Sequence, residues 1–111
     1  MAKGNKQKTI IISPQAKQDI LSTIIYLKEN WGQKTVAEFL QNLEAFYRII
    51  SINPRLFGYY KKSRNIRNYA ITKQNIIYYR IRKNAIELVT VFDGRQTPAK
   101  LKKIVKNHFN H

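Results

Sequence analysis

The hydrophobic pattern of this chain changes its period part-way along, and this change limits the possible folds more than any other feature. Before Asn53-Pro54, apolar residues recur every three or four positions, as they do on one face of a helix. From Ile66 onwards, apolar and polar residues alternate, as they do along a half-buried strand. Asn53-Pro54 separates the two parts, because the residue before a proline disfavours the helical conformation. The sequence therefore predicts an α+β fold.

The first part predicts a strand followed by a helical hairpin. Thr9 to Ile12 is short, apolar and β-branched, which favours a buried strand. Ser13-Pro14 is typical of a helix start, because the serine hydroxyl accepts from an unpaired amide and proline suits the first helical position. We predict helices over Pro14 to Trp31 and about Gln33 to Ile52, antiparallel to each other, with Trp31 filling the core at the hairpin end. The apolar stripe of the second helix is expected to comprise Val36, Leu40, Leu43, Tyr47 and Ile50, flanked by Phe39, Phe46 and Ile49.

The second part predicts a three-stranded antiparallel meander packed on the hairpin. Residues 54–63 lack a sustained period and are predicted to form a loop. The predicted strands are Ile66 to Ile71, Ile76 to Arg82 and Ala85 to Phe92. The first strand should join their sheet, and a helix is expected over Pro98 to His111.

Alternation assigns the two faces of the middle strand. Ile77, Tyr79 and Ile81 share one face, which we expect to lie against the helices. Tyr78, Arg80 and Arg82 share the other face, which we expect to form part of the binding surface.

Length and residue usage predict one domain and exclude several kinds of site. The 111 residues suit a single domain over 9–111, after a flexible basic leader at 1–8. With no cysteine, and only His108 and His111 near the end, neither a disulfide framework nor a thiolate or histidine metal centre is expected, and no cofactor is predicted. No apolar run is long enough to span a bilayer, and residues 1–9 do not resemble a signal peptide. We therefore expect a cytoplasmic protein without a membrane partner.

The strong positive charge indicates an anionic partner. Lys and Arg number 21 against 6 Asp and Glu, a formal net charge of +15, and no acidic residue lies between Glu44 and Glu87. Phosphates or an acidic protein segment would be attracted to such a surface. The tyrosines of this region either stack on unpaired bases or simply favour strand formation: Tyr59, Tyr60, Tyr69, Tyr78 and Tyr79.

Acid–base catalysis has few candidates. A ribonuclease would use basic side chains to stabilise a pentavalent phosphate and a tyrosine or lysine to move the proton. The residues available for this are Lys61, Lys62, Arg64, Arg67 and Tyr78. His108 is expected to be solvated and without a role near the chain end, and Glu87 to pair with an arginine across the strands.

Six short motifs, in order, resemble the RelE/ParE superfamily of toxins from type II toxin–antitoxin systems. They are "ISPQAKQDI" at 12–20, "YLKENWG" at 26–32, "INP" at 52–54, "NIRNYAI" at 65–71, "IIYYRI" at 76–81 and "LVTVFDGRQ" at 88–96. The resemblance implies a small toxin with a microbial-ribonuclease-like α+β fold. It also implies a cognate antitoxin that wraps the toxin with its C-terminal segment, which we expect to be acidic and to bind the hairpin and the sheet edge.

The superfamily has two branches, and the long hairpin with its Trp31-Gly32 corner resembles the ParE branch. ParE-like members poison DNA gyrase, whereas RelE-like members cut messenger RNA on the ribosome with basic sheet residues and a Tyr or His near the C-terminus. The family's arginines map to Arg67 and Arg95, but Gly94-Arg95 replaces a frequent His-Arg and no tyrosine follows.

We therefore expect a plasmid-stabilisation type toxin that binds gyrase and is not a catalyst. The alternative is a RelE-like, ribosome-dependent messenger endoribonuclease, for which Arg95 is a further catalytic candidate, and a third possibility is a nucleic-acid-binding module without toxicity. The expected target-binding residues are Arg67, Tyr69, Tyr78, Arg80, Arg82 and Arg95. Arg67 is expected to share a sheet face with Tyr69 and a neighbour from the Tyr78, Arg80 and Arg82 face. Arg95 either belongs to the same anion site or pairs with Asp93.

Overall fold

A computed structural model describes residues 8–109 and contains a five-stranded sheet with helices on both faces. The elements are β1 (Thr9–Ile12), α1 (Pro14–Trp31), α2 (Gln33–Ile52), β2 (Tyr59–Lys61), a 3₁₀ turn (Lys62–Arg64), β3 (Ile66–Ala70), β4 (Asn75–Ile81), β5 (Ala85–Asp93) and α3 (Pro98–His108). The strand order is β1-β5-β4-β3-β2, with β1 parallel to β5 and the other pairs antiparallel. The predicted α+β class, the hairpin and the meander are confirmed.

The start of α1 is fixed by a serine that joins the helix to the sheet. Ser13 Oγ accepts a hydrogen bond from the Ala16 amide at 3.0 Å and donates one to the Val89 carbonyl at 2.8 Å. Gly32 ends α1 at φ 92°, a left-handed conformation that glycine adopts without a Cβ clash, and α2 begins directly after it. The single-residue link makes the two helices antiparallel neighbours.

The main core lies between the helical hairpin and one face of the sheet. Ile77 and Tyr79 of β4 are fully buried in it, and Ile81 is partly buried there, as the alternation predicted. The helices contribute a buried row from each side: Ala16 and Leu27 from α1, and Phe39, Leu43, Phe46 and Ile50 from α2. The stripe predicted for α2 was wrong at Leu40, which is exposed because the larger Phe39 and Phe46 face the sheet instead.

A carboxylate locks α1 onto β5 beside this core. Asp19 Oδ2 accepts from the hydroxyl of Thr90 and from the amide of Val91, and Asp19 Oδ1 accepts from Gln15. Val89 lies at a bulge, because Tyr78 pairs with Thr90 while Tyr79 pairs with Leu88. The carboxylate therefore binds β5 just after the bulge, beyond Leu88, where the pairing with β1 ends.

A second, smaller core covers the opposite face of the sheet. Leu101 and Val105 of α3 pack on Ile66, Tyr78 and Phe92, and all five are buried. The sequence placed Tyr78 on an open binding face, and this placement was wrong. The apolar face of α3 covers that position, which a pattern confined to β4 cannot reveal.

Two further local predictions were also wrong. The loop predicted over 54–63 contains the edge strand β2, whose pairing with β3 is short and irregular and leaves no period in the sequence. Trp31 does not fill the core but is 68% exposed, because an open groove of about 460 Å³ separates the hairpin end from the β3–β4 turn.

Most of the predicted leader lies outside the described residues. Of residues 1–8 only Lys8 is described, and its ammonium donates to the carbonyl of Lys83 at 2.8 Å. None of the helices within residues 8–109 is both long and apolar enough to cross a membrane.

Tyr79 links the core to the segment after α2 and should make stability sensitive to alkali. Its hydroxyl donates to the Pro54 carbonyl at 2.9 Å, and burial raises the pKa of Tyr79 from 10.0 to about 12, against the opposing charge of Arg67. A raised folded-state pKa stabilises the fold below pH 10, and this contribution is lost as the pH rises from 10 towards 12.

We expect Tyr79→Phe to lower the free energy of unfolding by about 1 kcal/mol at pH 7 and to remove part of the alkaline loss. Urea unfolding between pH 7 and pH 11.5 measures both effects, with Tyr59→Phe as an exposed tyrosine control. An unchanged alkaline slope in Tyr79→Phe would contradict the prediction.

Candidate functional site

The structure distributes the predicted site residues over separate places. The side chain of Arg67, from β3, contacts the segment between α2 and β2, and Arg95 lies at the turn after β5. Arg80 and Arg82 lie together beside α3. The expected target-binding residues therefore do not form one site.

Arg67 is buried and binds the chain's own backbone. Its Nη1 donates to the carbonyls of Phe57 at 2.6 Å and Arg55 at 3.2 Å, and its guanidinium carbon lies 4.1 Å from the centre of the Tyr59 ring. Arg67 pairs with Tyr79 across the ladder and so lies on the hairpin face. The expectation that it shares a face with Tyr78 was wrong, because directly paired residues point to the same side of a sheet. A target contact by Arg67 stays a prediction.

Arg95 forms a two-pronged ion pair with Asp93. Its Nη2 lies 2.6 Å from Asp93 Oδ2, and its Nε and its amide both donate to Asp93 Oδ1. The hydrogen bond from Arg95 lowers the pKa of the Asp93 carboxyl and raises the pKa of the Arg95 guanidinium. The guanidinium also lies 5.7 Å from the ring of Tyr26. Of the two roles left open for Arg95, the structure contains the pairing with Asp93.

The tyrosine rings are largely occupied within the protein. Tyr69 stacks on Phe57 with ring centres 4.1 Å apart, and the Tyr60 ring meets the Tyr78 ring edge-on at 4.9 Å. Tyr79 is fully buried. Burial, the largest influence, raises the pKa of Tyr78, so its hydroxyl is a weaker acid than in water. Stacking of these rings on unpaired bases is not supported by the packing.

The cluster with the richest chemistry lies where β4, β5 and α3 meet. Three cationic or ionisable side chains converge on one oxygen, Glu87 Oε1: Arg80 Nε at 2.9 Å, His108 Nε2 at 3.2 Å and Arg82 Nη1 at 3.7 Å. Glu87 and Arg80 face each other across the ladder, which confirms the predicted cross-strand pairing. We call Arg80, Arg82, Glu87 and His108 the Glu87 cluster.

His108 is the residue whose role was missed. It was expected to be solvated and idle, but its side chain is only 17% exposed. The spacing of Leu101, Val105 and His108 puts all three on one face of α3, so the same periodicity that predicted the helix could have placed the imidazole against the sheet.

The cluster holds an ionised carboxylate. Burial raises the pKa of Glu87, but hydrogen bonds and charge from His108 and Arg80 outweigh it and leave the pKa lowered from 4.5. The carboxylate is therefore ionised at neutral pH. It lines an open groove of about 860 Å³ together with Arg80, Arg82, Asn107 and His108. Within residues 8–109, no group of three or more His, Cys, Asp or Glu is placed to hold a metal ion.

The remaining basic candidates lie nearby on the surface. Lys61, Lys62 and Arg64 are all exposed, and the guanidinium carbons of Arg64 and Arg80 lie 4.9 Å and 4.7 Å from the centre of the Phe109 ring. Phe109 therefore connects Arg64 to the Glu87 cluster.

Comparison with known families identifies the chain. The model of the ParE toxin of the type II toxin–antitoxin system parDE matches residues 10–98, which include the hairpin and all of the sheet except Thr9, the first residue of β1. The chain belongs to the ParE toxin family. No curated protein sequence matches this ParE-family chain significantly.

Solved structures share the fold of this ParE-family chain at low sequence identity. A chain from the chromosomal ParDE toxin–antitoxin system of P. aeruginosa is 9% identical, with a TM-score of 0.65 over 79% of this chain and 97% of that one. The YoeB dimer from Staphylococcus aureus is 17% identical, with a TM-score of 0.58 over 78% and 95% of the two chains. The YoeB-YefM toxin–antitoxin complex from the same organism gives a TM-score of 0.54 at 17% identity, over the same 78% and 95%. The RelE/ParE toxin fold is thereby confirmed.

We expect Arg67→Ala to destabilise the fold, because the loop carbonyls of Arg55 and Phe57 lose a charged donor. The loss should be about 2 kcal/mol, and the unfolding midpoint should fall by roughly 10 °C. Arg67→Lys should recover part of this, because an ammonium supplies a point charge without the planar fork. Thermal unfolding followed by circular dichroism measures it, with exposed Arg55→Ala as the matched control.

Loss of toxicity in Arg67→Ala at an unchanged unfolding midpoint would contradict this structural role. It would instead support the target contact predicted from the sequence.

We expect Glu87→Gln to lower stability at pH 7 by about 1–3 kcal/mol, because charged hydrogen bonds to Arg80 and His108 are lost. A lowered folded-state pKa stabilises the fold above pH 4.5 and is lost as the pH falls through the folded value. The difference between wild type and variant should therefore shrink at pH 3, as measured by urea unfolding.

The control for this measurement is Glu44→Gln. Glu44 pairs with Arg48 at 3.6 Å, but both side chains are mostly exposed, so the change should cost under about 0.5 kcal/mol. Equal losses in the two variants would show that the Glu87 cluster contributes no more than a surface ion pair.

Proposed function

We propose that this protein is the toxin of a plasmid-stabilisation type II toxin–antitoxin module and that it poisons DNA gyrase in the cytoplasm. Membership of the ParE toxin family supports this, because the ParE branch is the one whose resemblance implies gyrase as target. The observation that carries the proposal is a set of large apolar side chains exposed on the helical hairpin. We call this set the hairpin row: Leu21, Ile25, Tyr26, Trp31, Leu40, Ile49 and Ile52. Such a row is typical of a protein that acts by binding another protein.

The hairpin row contains residue types that anchor protein interfaces. Trp31 and Tyr26 are exposed near the hairpin end, beside Arg95, and Trp, Tyr and Arg are the residues most enriched at interface hot spots. Leu21, at 62% exposed, and Ile25 lie one turn apart on another side of α1 and are also exposed. A folded domain leaves this much apolar surface uncovered where a partner binds.

The sheet offers less support for a catalytic role. Tyr78 is buried under α3, and Arg67 is buried with its Nη1 bound to the carbonyls of Phe57 and Arg55. Neither residue presents its polar atoms to a phosphate as the ribonuclease hypothesis requires.

A cognate antitoxin is the second proposed partner. Solved relatives of this fold include a toxin–antitoxin complex, and the net charge of +15 favours association with an acidic segment. The hairpin row supplies apolar contacts, and the edge strands β1 and β2 supply unpaired backbone groups for an added strand. We propose that the antitoxin covers the hairpin and a sheet edge.

The alternative function is a RelE-like, ribosome-dependent messenger endoribonuclease. One observation favours it: His108, near the C-terminus, meets Arg80, Arg82 and Glu87 in an open groove. This residue set matches the kind that the RelE branch is described as using, and it could supply an acid–base pair and phosphate ligands.

Induced expression of the full chain in a bacterial host distinguishes these functions. We expect growth arrest with induction of the DNA-damage response and gyrase–DNA cleavage complexes, and relief of arrest by the antitoxin gene encoded beside the toxin. Trp31→Ala should weaken the arrest at least tenfold in inducer dose, because the main anchor of the row is removed. Leu56→Ala, an exposed apolar residue outside the hairpin, is the matched control.

Cleaved transcripts in the absence of gyrase–DNA cleavage complexes would contradict gyrase poisoning and support the ribonuclease function. Normal growth with a folded, expressed chain would remove both functions and leave a nucleic-acid-binding module. Equal toxicity of Trp31→Ala and wild type would contradict the role of the hairpin row.

A further inference from the structure

A continuous band of basic side chains runs along the edge of α3, on the sheet face opposite the hairpin. Arg80 and Arg82 both pair with Glu87, and the guanidinium groups of Arg80 and Arg64 both contact the Phe109 ring. Arg64 then lines a second groove, of about 260 Å³, which it shares with three lysines. The basic band consists of Lys61, Arg64, Arg80, Arg82, Lys102 and Lys106.

The charge of the basic band is far from balanced. Among residues 8–109, Glu87 is the sole acidic residue lining either groove, and it already binds Arg80, Arg82 and His108 through one oxygen. Six cations against one carboxylate repel one another, whereas ordinary surfaces intersperse both signs. An external polyanion would relieve this repulsion.

The residues of the band suit contacts to a sugar-phosphate backbone. Arginine forks bind phosphate with two parallel hydrogen bonds, and the amides of Gln18 and Asn107 in the same groove are further donors. The aromatic rings beside the band are engaged within the protein: Phe109 contacts two guanidiniums, Tyr78 is buried, and Tyr60 meets Tyr78 edge-on. Single-stranded binders depend on free aromatic platforms, so the contacts favour duplex backbone over unpaired bases.

An acidic peptide fits the basic band less well than a duplex. Tight peptide binding needs apolar anchors, and of the large exposed apolar side chains that the structure describes only Ile11 lines either groove. Other such anchors, including Leu21 and Trp31, belong to the hairpin and line neither groove. The two faces thus differ in chemistry.

We propose that the basic band binds the phosphate backbone of duplex DNA while the hairpin row binds protein. The inference rests on the proposed function in one respect: a gyrase poison acts on an enzyme that holds DNA, so one molecule would contact both. The backbone binding itself requires no gyrase and can fail or succeed independently.

The test is fluorescence anisotropy of a labelled 20-base-pair duplex with the purified full chain, from 50 to 300 mM salt. The probe in the second arm is a single-stranded RNA of the same length, and unlabelled polyglutamate is the competitor. The double variant Arg64→Ala/Arg82→Ala removes two exposed arginines of the band. Removing one arginine–phosphate pair should lower the slope of log affinity against log salt by about 0.9, so we expect the slope to fall by roughly 1.8 and the affinity at 0.1 M salt to fall at least tenfold.

The matched control is Lys34→Ala/Arg48→Ala, which removes two exposed positive charges from α2. It should retain nearly the full slope, and Arg64→Lys/Arg82→Lys should lose less than half as much affinity as the alanine pair. If the alanine pair and the control lose the same affinity, the binding depends on net charge alone and the proposal is overturned. Tighter binding of the RNA, or displacement of the duplex by equimolar polyglutamate, would also overturn it.

Gyrase poisoning is scored separately, by cleavage complexes in cells. If the purified chain binds no DNA but cells still accumulate cleavage complexes, the proposal for the basic band is overturned and the proposed function stands. DNA binding without cleavage complexes would do the reverse.

Discussion

Strand β5 has no exposed side, and the rest of the structure depends on how that burial is achieved. Leu88, Val89 and Thr90 are fully buried, with β1 and β4 on the two edges, the hairpin on one face and α3 on the other. Burial of both faces leaves no tolerance for an unpaired backbone group at the bulge. Ser13 and Asp19, both from the start of α1, bind the Val89 carbonyl and the Val91 amide, beyond the point where the pairing with β1 ends. The first helix is thereby fixed on the sheet, and α2 follows from it.

The two faces of the sheet place different chemistry on two sides of a small molecule. The hairpin face ends in exposed aromatic and aliphatic side chains, whereas the α3 face is bordered by arginines and lysines with one carboxylate among them. Leu101 and Val105 are the α3 residues buried in the second core, and the exposed side of α3 carries lysines. His108, at the end of α3, contacts Glu87. Six of the 21 Lys and Arg residues are therefore gathered in the basic band beside α3, near a single carboxylate.

The elements followed from the sequence because each depends on neighbours in the chain. Ser13-Pro14, Asn53-Pro54 and the alternation in β4 predicted α1, α2 and the three meander strands to within a residue or two, whereas the irregular edge strand β2 was missed. The site depends on contacts between distant residues, and there the sequence was less informative. Arg67 was assigned to the wrong face because the register of β3 against β4 cannot be read from either strand alone, and His108 was dismissed because its partner Glu87 belongs to a different element.

The pairing of β1 with β5 constrains how the chain can assemble as it is made. Ser13 and Val89, which are joined by a hydrogen bond, are separated by 76 residues, and β1 forms one edge of the sheet parallel to its partner. A parallel pair of this separation must wait for nearly the whole intervening chain, whereas the hairpin contains only neighbouring residues. During translation the two helices can therefore associate early, while β1 stays unpaired until β5 has left the ribosome. The strand synthesised first is among the last to be incorporated.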